Sequence, residues 1–343
     1  MTGLSIVGAG SLGQAFAALL AQSGQPVTLL ATPATASRLH EAGRVCLRGL
    51  VSADIPAAPA PAPAGTVGVT ADPSRLPAGV GLLFMTKGHQ LQAAAAAVRA
   101  VWPPVDDGKA WVGGVQNGLA KDDLLAQVFG TERVVGAVTI LGAARQADGQ
   151  IAVSGFGCTY LGEFDGRRSG RVGAAIEGLR KAGIPAEELA DIRSVLWSKA
   201  CNAAGVFGVS VLARASASRF FRNPDLIRAY LALVRETAAL AGAYGVPVGD
   251  YMNFPIRSYV TRPDEETVAR LSQKETLAAT GTKGVEVFPS MTQDLLAGRA
   301  LEVDGVFADL VERAERAAVA VPRLRFVRDM LRGIDPGRPP TSA

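Results

Sequence analysis

The sequence predicts an α/β fold, a doubly wound parallel sheet followed by a second, mostly α-helical domain. Three observations predict it. A strand, a glycine-rich turn, a helix and a second strand follow one another within the first 31 residues. Short apolar runs then alternate with helix-period segments through the N-terminal half, as buried parallel strands and their crossover helices require. After Ile184-Pro185 the strand-like runs stop and long helical patterns take over.

Each element has its reason. Leu4-Ser5-Ile6-Val7 is a short apolar run ended by Gly8, and Pro26-Val27-Thr28-Leu29-Leu30-Ala31 is its counterpart. Between them Leu12, Ala15, Phe16, Leu19 and Leu20 recur at helical spacing until Gly24 stops them. Residues 51–65 are rich in Ala and Pro; proline's fixed φ and missing N–H predict a mobile, extended surface excursion within the first domain. Further strands are expected at 80–85, 110–115 and 133–138, with a helix from Leu91 to Val101 between the first two. Helices are expected at Asp191–Leu212, Asp225–Tyr244 and Val303–Val321, the last with an apolar face of Val303, Val306, Phe307, Leu310, Val311 and Ala314. The resulting division is 1–188, 189–335 and a turn-rich tail, 336–343, with fraying expected from Gly333.

Composition narrows the function. The 343 residues are 48% hydrophobic and 19% charged, which excludes disorder for most of the length. A net charge of +4 with no stretch of five or six like charges argues against nucleic acid as a partner. No acidic or basic residue occurs from Thr2 to Ser37, but glycines break that stretch into short units, so neither a signal peptide nor a spanning helix is expected. Three widely spaced cysteines and two histidines argue against a metal site or a disulfide framework and fit a reducing cytoplasm.

Gly8-Ala9-Gly10-Ser11-Leu12-Gly13 has the form GxGxxG directly after a strand and at the head of a helix. There the bare backbone can approach a pyrophosphate, whose charge the helix N-terminus favours. At the end of the second strand stands Leu30-Ala31-Thr32-Pro33, without the acid that would bind the ribose 2′-hydroxyl of NAD. That absence favours NADP, and Arg38, six residues on, is either a phosphate contact or a solvated helix residue. Lys87 and Asn117 each follow a strand at the edge where such sheets bind ligands. A solvated lysine and an Asn-Gly turn are the bland alternatives. Lys199, amid Val195, Leu196, Ala200 and Cys201, either snorkels to solvent or is held as a proton donor. Glu302 is either a first-turn carboxylate that complements the helix dipole or a site group.

Taken in order, GAGSLG, TKGHQ, QNG, WSK, PSMTQDLLAGR and LEVD resemble the motifs of the ketopantoate reductase (2-dehydropantoate 2-reductase) family, over residues 4 to about 322. The resemblance implies a Rossmann-like NADPH-binding domain, a helical domain, a substrate cleft between them and hydride transfer to a 2-oxo acid. Its nominal reaction is ketopantoate to pantoate, in pantothenate and coenzyme A synthesis. By this resemblance Lys199 matches the general acid, Glu302 a carboxylate near cofactor and substrate, and Ser290 a substrate-binding serine. Asn117 matches the cleft asparagine, Lys87 the lysine near the adenosine phosphate, and Ala143 a backbone cofactor contact. The partners implied are a small 2-oxo acid and, as one option, a second copy of the chain.

The sequence departs from the family pattern twice. Family members usually carry asparagines four and eight residues after the lysine, and here those positions are Ala203 and Phe207. Asn202, three residues on, is still adjacent to Lys199 on a helix, so it becomes the candidate substrate-binding amide. The other departure is Thr32, where the family often has an arginine for the 2′-phosphate; its hydroxyl can still bind one. Two rivals follow: a related reductase for a bulkier or less polar 2-oxo acid, and a dinucleotide-sensing protein that has lost its chemistry.

Overall fold

The computed structural model describes residues 3–102, 108–279 and 286–338. The chain forms two compact units, Met1–Gln116 with Lys121–Arg193, and Asn117–Ala120 with Ser194–Ala343. The division thus falls just inside the helix that begins at Ile192.

Among the described residues ten strands build the first unit: β1 (Leu4–Val7), β2 (Val27–Leu30), β3 (Arg44–Gly49), β4 (Ala53–Pro59), β5 (Val67–Thr70), β6 (Gly81–Phe84), β7 (Trp111–Gly114), β8 (Val135–Arg145), β9 (Ile151–Glu163) and β10 (Ala186–Glu188). Its helices are α1 (Ser11–Gln22), α2 (Pro33–Ala42), α3 (Leu91–Val101), α4 (Ala120–Phe129) and α5 (Gly170–Lys181). The sheet runs β10-β9-β3-β4-β5-β2-β1-β6-β7, with β8 paired to β9. From β4 to β7 every neighbouring pair is parallel. Successive residues serve opposite faces: Ile6, Leu29 and Leu83 pack with residues of α1, α2 and α5, while Val7, Leu30, Leu82 and Phe84 pack with those of α3 and α4. That alternation on a sheet covered on both sides is why these strands read as unbroken apolar runs.

Several expectations need correction. The Pro-rich stretch is not a surface excursion over Ala53–Pro59, which form β4, with Ile55 and Ala57 buried. β4 pairs antiparallel with β3 through Ala53–Pro56 and parallel with β5 through Ala57–Pro59. Pro56 therefore falls where the strand changes neighbour, a place where a missing N–H is tolerated. The sheet is not wholly parallel either, because β8 and β9 form a long antiparallel hairpin. The tail does not fray at Gly333. Buried Asp335 accepts from the Leu301 and Gly337 amides, both at 2.9 Å. Residues 339–343 of the expected tail lie outside the described residues.

The second unit contains α6 (Ile192–Ala213), α7 (Ala217–Phe221), α8 (Pro224–Ala243), a two-stranded ribbon β11 (Asp250–Tyr251) and β12 (Phe254–Pro255), α9 (Ile256–Thr261), α10 (Asp264–Ala279), α11 (Ser290–Leu296), α12 (Asp309–Arg316) and α13 (Pro322–Ile334). The helix expected at Val303–Val321 is interrupted. It opens with a π-helical turn at Asp304–Ala308 and stops where Ala318 takes φ +53°. Among the described residues one helix, α6, is long and apolar enough to cross a membrane, and 78% of its most apolar window is buried inside the fold. Glycines let α8 come close to it: a Cβ on Gly205 would stand 2.4 Å from the Tyr230 ring, and one on Gly208 would stand 2.9 Å from Leu233.

Candidate active site

In the first unit the chain leaves β1 for β2 on one side and returns through β6 on the other, so the crevice at their carboxyl ends is the topological switch point. Three glycines shape its floor for different reasons. Gly8, at φ +115°, lies so close to the β6 loop that a Cβ would sit 2.7 Å from the Thr86 amide. A Cβ on Gly13 would stand 1.9 Å from the Gly8 carbonyl oxygen, so this glycine lets α1 lie on β1. Around Gly10 nothing in the protein demands glycine; the nearest atom to a Cβ there would be the Met85 carbonyl oxygen at 3.9 Å.

Gly10 also stands at the head of α1, without a side-chain cap and without an acid in the first turn. The helix ladder begins with the Gln14 amide on the Gly10 carbonyl at 3.0 Å, which leaves Ser11, Leu12 and Gly13 N–H groups without an acceptor inside the helix. A bare backbone, orphan donors and a positive helix end are the chemistry of a pyrophosphate seat. The loop residues therefore fit a dinucleotide. Ala143, beside a register shift near the end of β8, is packed against the same core cluster as Ala9 and Leu12.

The rest of the predicted cofactor set lies nearby in the chain or has a structural duty. Thr32 caps α2, its Oγ1 accepting from the Thr35 amide at 3.4 Å. Lys87 is half-buried after β6 and starts a short turn in which its amide donates to Gln90 Oε1 at 3.4 Å. Two further residues were not singled out in the sequence. Gln116 Nε2 donates to the Phe84 and Thr86 carbonyls at 3.0 and 3.1 Å, fastening the β7 end to the β6 loop. Arg145 donates to the Ala9 carbonyl at 3.3 Å from the last residue of β8. Burial by the surrounding chain, and then the charge of Arg38, hold its guanidinium below the usual arginine range.

The second unit carries Lys199, Asn202, Ser290 and Glu302. Along α6 from Ser194 to Val211 only Lys199, Asn202 and Val206 are not buried. Spacings of three and four residues put them on one stripe. Ala203 and Phe207, where the family usually has asparagines, are buried at 4% and 8% exposure. Tyr230 O–H donates to Asn202 Oδ1 at 2.9 Å, and among the described residues the Asn202 Nδ2 group has no acceptor. Burial holds the Tyr230 phenol well above its ordinary range, so it stays a donor. The tyrosine thus fixes the amide with its oxygen toward the phenol and its N–H groups turned away from it.

The QNG and LEVD segments meet. Gly118, at φ +89°, has its Cα so close to the π-turn after Glu302 that a Cβ would stand 1.9 Å from the Gly305 carbonyl oxygen. Asn117 belongs to this second unit, although it follows a strand of the first. Glu302 is buried at 8% exposure, and its carbonyl accepts from the Val306 amide at 3.3 Å. Ser290 is exposed at the first residue of α11. Its neighbours are structural: Thr292 Oγ1 lies 2.8 Å from Ser210 Oγ of α6, and Asp294 pairs with Arg299 at 2.8 Å. The structure thus brings Lys199 and Asn202 onto one stripe and Asn117-Gly118 against the Glu302 turn.

Known proteins resemble the chain over nearly its whole length. The chain is 28% identical over 335 residues to the 2-dehydropantoate 2-reductase of Archaeoglobus fulgidus, covering 97% of this chain and 98% of the relative. The fold matches the crystal structure of 2-dehydropantoate 2-reductase from Geobacter metallireducens with a TM-score of 0.77 at 24% identity, covering 96% and 98%. It also matches D-mandelate dehydrogenase in complex with NADH, with a TM-score of 0.75 at 18% identity, covering 97% and 98%. Residues 4–166 match the family described as ketopantoate reductase PanE/ApbA, and residues 191–335 match its C-terminal domain. With both domains matched in order, this chain belongs to the ketopantoate reductase PanE/ApbA family of dinucleotide-binding oxidoreductases.

Proposed function

We propose that the chain reduces a 2-oxo acid to the 2-hydroxy acid with NADPH in the cytoplasm, nominally 2-dehydropantoate to pantoate. The observation that carries this reading is the α6 stripe, where a half-buried lysine and an oriented amide lie side by side on a helix buried over most of its length. A reduced nicotinamide, when bound, supplies the hydride. Lys199 gives the proton to the carbonyl oxygen as it becomes an alkoxide, a role suited to an ammonium on a long, adjustable stem. Asn202 Nδ2 and Ser290 are the donors for the substrate's polar groups, Asn117 an amide shared by cofactor and substrate, and Glu302 the site carboxylate. Thr32 and Lys87 face the adenosine end, and the Gly8–Gly13 loop with Ala143 holds the dinucleotide.

A second reading has its own observation. With Ala203 and Phe207 buried, the stripe offers one amide where the family usually has two, which favours a 2-oxo acid with a less polar body than ketopantoate. The experiment is NADPH oxidation with ketopantoate beside aliphatic and aryl 2-oxo acids, repeated with NADH. Fastest turnover of ketopantoate supports the nominal reaction, and preference for another acid moves the assignment to the second reading. Dinucleotide binding without turnover of any of them would overturn both and leave a sensing protein.

A further inference from the structure

The carboxyl ends of β1 and β2 lie side by side, Val7 paired with Leu30 and the Gly8 amide donating to the Leu30 carbonyl at 2.9 Å. Ala9 and Thr32 each follow that pair by two residues. On Ala9 rests the Arg145 guanidinium, which reaches its carbonyl from the end of β8. Beside Thr32, the Thr35 hydroxyl lies 3.2 Å from the Thr32 hydroxyl and accepts from Arg38 Nη2 at 3.4 Å. Two arginines from distant parts of the sequence therefore stand at the carboxyl ends of neighbouring strands, Arg145 on the segment after β1 and Arg38 on the segment after β2.

Neither arginine has a carboxylate partner among the described residues. Most other arginines described here do, Arg171 on Glu163 and Arg313 on Asp309 among them. Arg38 and Arg145 are close enough for each charge to act on the other, an arrangement that costs free energy unless an anion joins it. The end of β2 is the place where sheets of this type read the 2′ position of the adenosine ribose. A carboxylate there would accept from a 2′-hydroxyl, whereas guanidinium groups and hydroxyls suit a phosphate monoester.

We infer that Arg38 and Arg145, with the Thr32 and Thr35 hydroxyls, seat the 2′-phosphate of the bound dinucleotide and set its preference for NADPH over NADH. The inference rests on the reading that the Gly8–Gly13 loop holds a nicotinamide dinucleotide. It adds to residue 32 two cationic side chains, one from α2 and one from the end of β8.

The test measures dissociation constants for NADPH and NADH by nicotinamide fluorescence, and for adenosine 2′,5′-bisphosphate and 5′-AMP by calorimetry. The proteins are the wild type, Arg38→Ala, Arg145→Ala and the double variant. Both arginines are exposed, so the fold should survive, which circular dichroism checks. Each single change should weaken NADPH and the bisphosphate by about tenfold, and the double change should bring NADPH close to NADH. If the wild type favours NADPH and the double variant keeps that preference, the arginine site is wrong and the NADPH reading stands. Equal weakening of NADPH and NADH would assign the pair to the dinucleotide's common part, which also overturns the site. A wild type that binds neither dinucleotide, or both equally, would overturn the cofactor reading itself.

Discussion

The glycine loop of the first unit and the lysine-bearing helix of the second are built in contrasting ways. The loop works through backbone: Gly8 and Gly13 are glycine because a Cβ would strike the protein's own main chain, and Gly10 leaves its amide and the head of α1 uncovered. Helix α6 works through side chains, on a surface where nearly every other position is packed away. A site made of missing atoms can hold a ligand by its phosphates but has no proton to give. A site made of a half-open lysine can give a proton, and its neighbours decide what it meets. On the proposed roles, the contrast makes cofactor recognition and proton transfer separable in this chain, so that each should break without the other.

The largest expected effect belongs to the proposed proton donor, Lys199. Lys199→Ala should lower kcat for the preferred 2-oxo acid by about 10²–10⁴, while the NADPH dissociation constant stays within about twofold. Steady-state kinetics and fluorescence titration read the two quantities separately. A kcat within about tenfold of wild type would remove the general-acid role and, with it, the contrast.

The loop offers the next test, in stability and binding. Gly13→Ala places a Cβ against the Gly8 carbonyl, an immovable backbone atom, and should cost about 3 kcal/mol or more in urea unfolding. Gly10→Ala meets open space and should stay within about 1 kcal/mol of wild type, yet bind dinucleotide at least about tenfold more weakly. Undiminished binding by Gly10→Ala would mean that its bare backbone does not face the ligand.

How far each region could be read in advance follows from the same contrast. The loop was legible because its constraint is a residue type at fixed spacing after an apolar run, and β1, α1 and β2 lie where those runs are. The β8–β9 hairpin was not, because Gly142, Gly155 and Gly162 blur its period and its partners are distant in sequence. β4 was hidden because prolines signal loops, and only the change of neighbour at Pro56 makes one tolerable. On α6 the sequence marks Lys199 and puts Asn202 within reach of it. It cannot show which face of an apolar helix stays open, since burial is set by helices that arrive later in the chain. Arg145 was missed for a related reason: a lone arginine carries no pattern until β8 sets it against Ala9.

The smallest effect tests how the open stripe acquires its chemistry. Asn202→Ala would be ambiguous, since it would also strand the buried Tyr230 hydroxyl without an acceptor, at a cost of about 1–3 kcal/mol. Asn202→Asp keeps an acceptor for Tyr230 and removes both amide donors, and its charge opposes a substrate carboxylate. It should raise KM for the 2-oxo acid by about tenfold and leave kcat within about threefold, since the lost contact is made before and during reaction alike. Tyr230→Phe keeps the ring against Gly205 and removes only the hydroxyl that turns the amide, so KM should rise by about threefold. A full-sized KM for Asn202→Asp and none of the loss for Tyr230→Phe would show that the amide orients itself. An unchanged KM in both variants would take Asn202 out of the site and leave Lys199 to act with partners from elsewhere in the second unit.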